Sequence, residues 1–536
     1  MPVTAISTST IPSASAWAPL RHPLYRALWV AQLVSNVGTW MQTVGAQWLM
    51  GTLGGSAFEV ALVQAAITFP IFLVGLPAGA LGDIVDRRRL LLVSQSVMVA
   101  VAAALALVTF SGGMAPWLLL VLTFALGIGS SLTAPSWQSI VPELVDRREI
   151  TLAAALAGVN YNVARAVGPA LGGVLVAAAG PGWTFAINAV SFLATLAVIW
   201  AWRRPPSEHV LGPEHIVAAM RSGIAYARHA PLLRAVFARA ALFVIFAGGL
   251  WALLPVYVRG ELGLGSDGYG LLLGAVGMGA VLGAVGLARL RAVRSTDQLL
   301  IGASVAFAAA CAVCAAVAEV PAAALALLLA GAAWVTATSS LNGTAITVLP
   351  GWVRTRGAAL YTLIFGGGQA LAACVWGAVA QFAGARAALG IVAGGLVASV
   401  GGARRWRMPV AGALDVALQP WPVEPSLAID PDPAAGPILV TVEYRVPPDR
   451  HAEFRERMRA VGRMRKRTGA ERWGLFRDGS VPDCFVEAFL VATWQEHLRQ
   501  HMERTTAADR AAHDAVVEVA EVGRPRVRHL FFAYDD

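Results

Sequence analysis

Charge is what this chain has least of. Aspartate, glutamate, lysine and arginine together make up 14% of its 536 residues, where soluble domains carry about a quarter. That deficit excludes a solvated surface over most of the chain. Lysine is nearly missing, Lys466 being the single one, so the net charge of +9 is an arginine charge. Those arginines fall in short clusters between apolar runs, which fits membrane topology and argues against a nucleic-acid partner. Cysteine is scarce as well. Four residues make no disulfide framework. Cys311 and Cys314 form a C-x-x-C inside "AFAAACAVCAAVA", where cysteine reads as a small apolar packer. The opening "MPVTAISTSTIPSASAWAPLRHP" has no basic-then-apolar start and reads as a disordered tail over 1–22, not a cleavable signal. No phosphate loop, nucleotide fingerprint or nucleophile–base arrangement is found, which argues against an ATP-driven pump and against an enzyme. No cofactor and no metal is expected.

What the chain does have is long apolar runs. It is 57% hydrophobic with a mean hydropathy of +0.63. Segments able to cross about 30 Å of hydrocarbon at 1.5 Å per residue recur over the first four hundred positions. They fall near 28–50, 59–81, 90–110, 116–137, 152–179, 183–202, 236–258, 269–290, 298–318, 321–346, 357–382 and 387–403. The reading is an all-α polytopic membrane protein of twelve helices, six in 23–202 and six in 235–407. A basic stretch over 203–234 connects them. Past Arg407 a Pro-rich linker, 408–436, leads to a charged soluble domain over 437–536.

Arginine sets the orientation. Alternate loops collect Arg87, Arg88, Arg89, Arg147, Arg148, Arg203, Arg204, Arg289, Arg291, Arg354 and Arg356, while the opposite side holds only Arg259 and Arg386. By the positive-inside rule both termini are cytoplasmic, in the inner (plasma) membrane. The halves also look alike. "GGSAFEVAL" from Gly54 returns as "GSDGYGLLL" from Gly265, and "IVPELVDRRE" from Ile140 as "VLPGWVRTRG" from Val348, both at lags close to 210. Parallel repeats of this kind build transporters with a central site between the halves.

Two features point to such a site. The first helix carries Gln32, Asn36, Thr39, Thr43 and Gln47 on one face, with Trp40 and Trp48 able to stack. Polar groups in hydrocarbon need partners, so this face turns inward, as cavity lining or as glue between helices. Arg165 lies mid-span in the fifth segment, near Asn162 and Tyr161. A buried arginine marks a substrate or ion path, and one near a helix end snorkels instead. In a neutral cavity it would suit an anionic or catechol-like ligand.

The stretch "GALGDIVDRRRLLLV" resembles the signature between helices two and three of the major facilitator superfamily, through Gly79, Leu81, Asp83, Arg87 and Arg88. Asp86 stands where that family usually has glycine. The resemblance implies a conformational latch formed by Gly79, Asp83, Arg87 and Arg88; a plain anchoring loop is the alternative. In the fifth span, Gly168-Pro169 with Gly172 and Gly173 resembles the helix-bend motif of the superfamily's exporters, although Ala164 replaces one of its glycines. A packing kink without directional meaning is the other reading. Proton coupling is implied by the family only, since Gly127 and Gly129 lack the expected preceding arginine and Glu59 and Asp83 are the only acids in the first-half spans. Over its whole length the chain resembles the transmembrane secretion effectors, relatives of enterobactin-type exporters. That implies export of a small molecule, a siderophore-like metabolite or drug, by alternating access, with broad multidrug efflux as the alternative.

In the tail, "ILVTVEYRV" alternates as a strand, and the order βαββαβ gives a ferredoxin-like α+β unit. It resembles antibiotic-biosynthesis-monooxygenase-like domains, which implies dimerisation through the sheet. A membrane-anchored sensing or enzymatic module is the alternative there. His497 and His501 lie one helical turn apart, a spacing able to share a metal, with no third ligand apparent.

Overall fold

The computed structural model describes residues 17–533 apart from 85, 203–215, 403–404, 409–416, 420, 422–426 and 521–525. Side chains are described except at 76–84, 87, 134–136, 138–139, 142, 147, 216–220 and 355. Six long helices come first: α1 (Pro23–Thr52), α2 (Ala57–Ile84), α3 (Arg87–Phe110), α4 (Pro116–Leu144), α5 (Ile150–Ala179) and α6 (Pro181–Ala201). After a short helix α7 (Ile216–His229) come α8 (Pro231–Gly260), α9 (Ser266–Val293), α10 (Thr296–Ala316), α11 (Val320–Thr347), α12 (Arg354–Ala383) and α13 (Ala385–Gly401). Among the described residues, ten helices are long and apolar enough to span a membrane. The other two long ones are α1, diluted by its polar residues, and α13, which has 17 residues.

The connecting stretch differs from expectation. It contains α7, and α8 begins at Pro231, five residues before the predicted span. Proline at a helix start costs no backbone hydrogen bond, so it moves the boundary outward. Residues 18–21 also form a 3-10 turn with Ala18 and Pro19 buried, within the stretch read as tail; residues 1–16 lie outside the described ones. The sharpest reversals rest on single glycines. Gly180 (φ 91°) joins α5 to α6 and Gly384 (φ 85°) joins α12 to α13. Both adopt a conformation that side chains disfavour.

Packing repeats. In the first group α1 packs on α5 and α6, α3 on α4 and α6, and α2 on α4; in the second α8 packs on α12 and α13, α10 on α11 and α13, and α9 on α11. The groups meet chiefly through α2 against α12 and α5 against α9, which are one pairing and its own repeat mate. Small residues make the α5–α9 approach close. A Cβ on Gly270 would stand 2.7 Å from Gly173 Cα, and one on Gly277 would stand 2.5 Å from Ala166 Cα. Without a hydrophobic drive inside lipid, such backbone proximity is what holds helices together.

The tail folds as β1 (Ile438–Arg445), α14 (His451–Thr468), β2 (Arg472–Arg477), β3 (Cys484–Val491), α15 (Trp494–Met502), α16 (Ala507–Val517) and β4 (Arg526–Phe531). The second helical stretch is thus two helices. The sheet order is β2-β3-β1-β4, antiparallel throughout, which is the ferredoxin-like arrangement. The Pro-rich linker is partly ordered: Gln419 N donates to Thr505 O at 3.0 Å and Ala507 N to Ala417 O at 2.9 Å. The domain rests on the membrane part through α7. Arg221 pairs with Glu471 at 3.1 Å, Arg467 lies over Tyr226, and Arg504 lies over Trp352 in the turn before α12.

Candidate functional site

Arg165 is set in α5 where that helix crosses α1 and α9. Gly168 and Gly172 let α1 approach: a Cβ on Gly168 would meet Trp40 Cβ at 2.6 Å, and one on Gly172 would meet Met41 Cα at 2.8 Å. Gly173 faces α9 in the same way. Gly168, Pro169, Gly172 and Gly173 are all in the crossing, with Pro169 O beside Gly270. The approach seals Arg165, which is 6% exposed and so does not snorkel.

What surrounds the guanidinium is aromatic. Its Cζ lies 4.6 Å from the Trp251 ring and 5.9 Å from both Trp40 and Trp334. Trp40 belongs to α1, Trp251 to α8 and Trp334 to α11, so the cage draws on both groups of helices. The indoles also touch each other, Trp40–Trp251 at 6.2 Å and Trp251–Trp334 at 5.3 Å. Arg165 Nε and Nη2 are buried with no hydrogen-bond partner among the described residues, and so is Trp251 Nε1. No described carboxylate is paired with this cation. Cation–π attraction recovers about 2 kcal/mol when desolvated, while burying an ion costs several. The cage leaves the charge under-compensated.

The polar stripe of α1 is not one lining. Gln32 donates to Asn36 at 3.0 Å, and Asn36 donates to Asn160 of α5 at 2.9 Å. Asn160 in turn donates to Trp29 O, so this end of the stripe joins two helices. Asn162 bonds to Gly158 O in its own helix, and Thr39 and Thr43 likewise bond back to Ser35 O and Thr39 O. Gln47 is buried against Gln64 and accepts from Tyr269 of α9. Trp48 stacks on Tyr269. Of the residues proposed from sequence, Arg165, Trp40 and Tyr161 come together, the Trp40 and Tyr161 rings edge to face at 6.2 Å, while Gln32 and Asn36 pair with each other and, through Asn36, are bonded to Asn160. Sequence reasoning missed Trp251 and Trp334. It also missed a buried polar seam, where Asn188 of α6 donates to Gln42 and Ser191 donates to Asn188.

At the latch, the side chains of Gly79, Asp83 and Arg87 lie outside the described ones. Arg88 donates from Nε to Ile199 O at 3.3 Å and from Nη2 to Trp200 O at 2.7 Å, covering the open carbonyls at the end of α6. Asp86, the departure from the family pattern, caps α3 by accepting from Arg89 N at 2.9 Å.

In the tail domain, Glu487 is fully buried and fully paired. It accepts from Arg465 Nε at 3.1 Å, Trp473 Nε1 at 2.9 Å and Tyr444 Oη at 3.3 Å. The Glu487 carboxylate holds the Arg465 guanidinium above its ordinary pKa against the cost of burial. Nearby, the structure adds to the histidine pair. His529 of β4 brings its Nε2 within 3.1 Å of His497 Nε2, while His501 stands 6.1 Å from His497 between ring centres. Among the described residues, only His22, Asp146 and Glu149 stand close enough together to share a metal as a trio. There His22 pairs with Glu149 at 2.9 Å, fastening the start of α1 to the turn before α5.

Burial, helped by His529, pushes His497 down to about 3, and burial pushes His513 down to about 4, from 6.5. Between those values the unfolded chain binds protons that the folded domain refuses. Stability therefore rises with pH across that window and is complete only above about 6.5. Acidifying from 6.5 to 5.5 is expected to cost the domain about 2 kcal/mol over both groups. Hydrogen exchange of α15 and β4 in the full-length protein measures it; unchanged protection would mean that both histidines take up protons in the fold.

A family model described as transmembrane secretion effector matches residues 14–534. The staphyloferrin A transporter of Staphylococcus aureus (strain NCTC 8325 / PS 47) is 32% identical over 162 residues, 30% of this chain and 41% of that protein. The multidrug efflux pump Tap of Mycolicibacterium fortuitum is 28% identical over 225 residues, 40% of this chain and 54% of the pump. The chain thus spans less than two thirds of the length of either relative. A crystal structure of the nucleoside transporter NupG covers 72% of this chain and 100% of its own, with a TM-score of 0.59 at 10% identity. That last likeness is one of fold.

Proposed function

Because the chain belongs to the transmembrane secretion effector family, and is a multi-pass membrane protein, we propose that it is a secondary-active transporter exporting a small molecule from the cytoplasm by alternating access. In this reading both termini are cytoplasmic, the membrane is the plasma membrane, and a proton gradient drives the cycle. The observation that carries it is Arg165, a sealed charge set between two repeated helix groups, with no described carboxylate paired to it. A charge so placed is a liability to stability and an asset to binding. The names of relatives favour either a siderophore-like metabolite or a drug as cargo, and broad multidrug efflux is the second reading.

The test compares the small-molecule content of the medium around cells with and without the chain, by mass spectrometry. At least one compound should leave the medium when the chain is removed and return when it is restored; an unchanged medium overturns the proposal. Asp83→Asn should slow that export several-fold at normal membrane level, because the latch reading gives Asp83 a partner in one conformation only. Full-rate export would reduce the Gly79–Arg88 stretch to an anchor. For the tail, the outer sheet face leaves Phe476 and Leu530 exposed at 59% and 48%. That supports pairing of two copies through the sheet, as in the monooxygenase-like domains it resembles.

A further inference from the structure

The sealed donors of the cage define what would satisfy them. Nε–H and Nη2–H share one edge of the guanidinium and point the same way, and both are without a partner among the described residues. A planar oxyanion docks on such an edge with two parallel hydrogen bonds. The third sealed group of the cluster, Trp251 Nε1, is again a donor. Three unpartnered donors, with no unpartnered acceptor beside them among the described residues, call for a ligand rich in acceptors and negative in charge. They turn away a lipophilic cation, which Arg165 repels, and a neutral donor, which finds nothing to accept from it. The walls add the second half of the description. The ring faces of Trp40, Trp251 and Trp334 present flat, apolar, polarisable surface.

We propose, on the transporter reading above, that Arg165 is the recognition point for a carboxylate carried on an aromatic or otherwise flat apolar body. The carboxylate docks side-on at Nε and Nη2, and the body lies against the indoles. The indole faces are what the guanidinium lies against. They are electron-rich and so tolerable neighbours for a cation, but they return less than a carboxylate does. The cage also spans the two helix groups. Arg165 and Trp40 come from α5 and α1, Trp251 and Trp334 from α8 and α11. Cargo held by all four therefore bears on the separation of the groups.

The probes are 2-naphthoate and its neutral isostere 2-naphthamide, titrated by calorimetry into the full-length protein in nanodiscs at low salt. The acid is expected to bind roughly tenfold or more tighter than the amide, as for a desolvated charge-assisted pair. Arg165→Met should erase that preference, and Arg165→Lys should restore only part of it, because lysine keeps the charge and loses the fork. Trp40→Leu, which removes a wall and none of the sealed donors, should weaken acid and amide alike while leaving their ratio near the wild-type value. Each variant is first shown to be folded by its thermal melt. Equal affinity for acid and amide in the wild type overturns the proposal, as does a preference that survives in Arg165→Met. The binding assay does not depend on transport. A wild type blind to the charge of the probe, in a chain that still exports into the medium, sinks the carboxylate class and leaves the exporter standing. An unchanged medium with a charge-selective cage does the reverse.

Discussion

Arg165→Met is expected to make the protein more stable and useless at once. Replacing even a paired set of buried ions by apolar side chains of similar volume is often neutral or gains about 1–4 kcal/mol, and an ion with no carboxylate partner has less to lose. The cation–π attraction disappears with the charge, and its worth of about 2 kcal/mol when desolvated offsets part of a gain at the upper end of that range, where a cation with no described carboxylate partner belongs. The unfolding midpoint in nanodiscs should rise by a few degrees while export falls to background. A midpoint that drops instead would reveal a structural partner for the guanidinium and remove the argument for a ligand.

Glu487→Leu should have the opposite sign. Arg465 is as deeply buried as Arg165, but its charge is answered by Glu487, which also receives Trp473 and Tyr444. Taking the carboxylate away strands a cation, at a cost of about 3–5 kcal/mol. A domain of this size has about 5–15 kcal/mol in all. Residues 437–533 should become sensitive to limited proteolysis in the full-length protein, and Arg465→Met in the same chain should restore most of the resistance. If the single variant resists protease as well as the wild type does, the hub contributes little. The two buried arginines then separate by the sign of the stability change: the stranded one is relieved by its removal, and the paired one depends on its partner.

The helices were legible because hydrocarbon thickness demands length and apolarity together, a demand no loop meets by accident. Even α1 could be placed, polar as it is, since its flanks remain apolar. The stripe on α1 was legible as a face but not as a site. Periodicity says that Gln32, Asn36 and Gln47 look the same way. It does not say that Asn36 meets Asn160, or that Gln47 ends under Tyr269. Trp251 was within reach: it follows Trp40 by the same 211 residues that separate Gly265 from Gly54, so a repeat proposed from glycines already pairs the two indoles. Trp334 has no such mate, and only the packing of α11 on α8 and α9 brings it in. Glu487 carried its own signal as well. It sits in β3 on the same parity as Phe485, Phe489 and Val491, where a strand faces inward, and a charge written at an inward position announces a partner.

The approach of α5 to α9 has a mechanical consequence. Gly173 against Gly270, and Ala166 against Gly277, meet as backbone against backbone with little between them. Long side chains interlock like gear teeth, and parting them means climbing over one rotamer after another. Glycine and alanine have no teeth. Two such surfaces can slide and part without rotamer barriers, the cost being the close van der Waals contact that holds them together when shut. No knob has to find its hole again when they close. A joint that is smooth in this sense tolerates a very large number of openings without wear on its geometry, and any bulky residue introduced there should act less as a wedge than as grit.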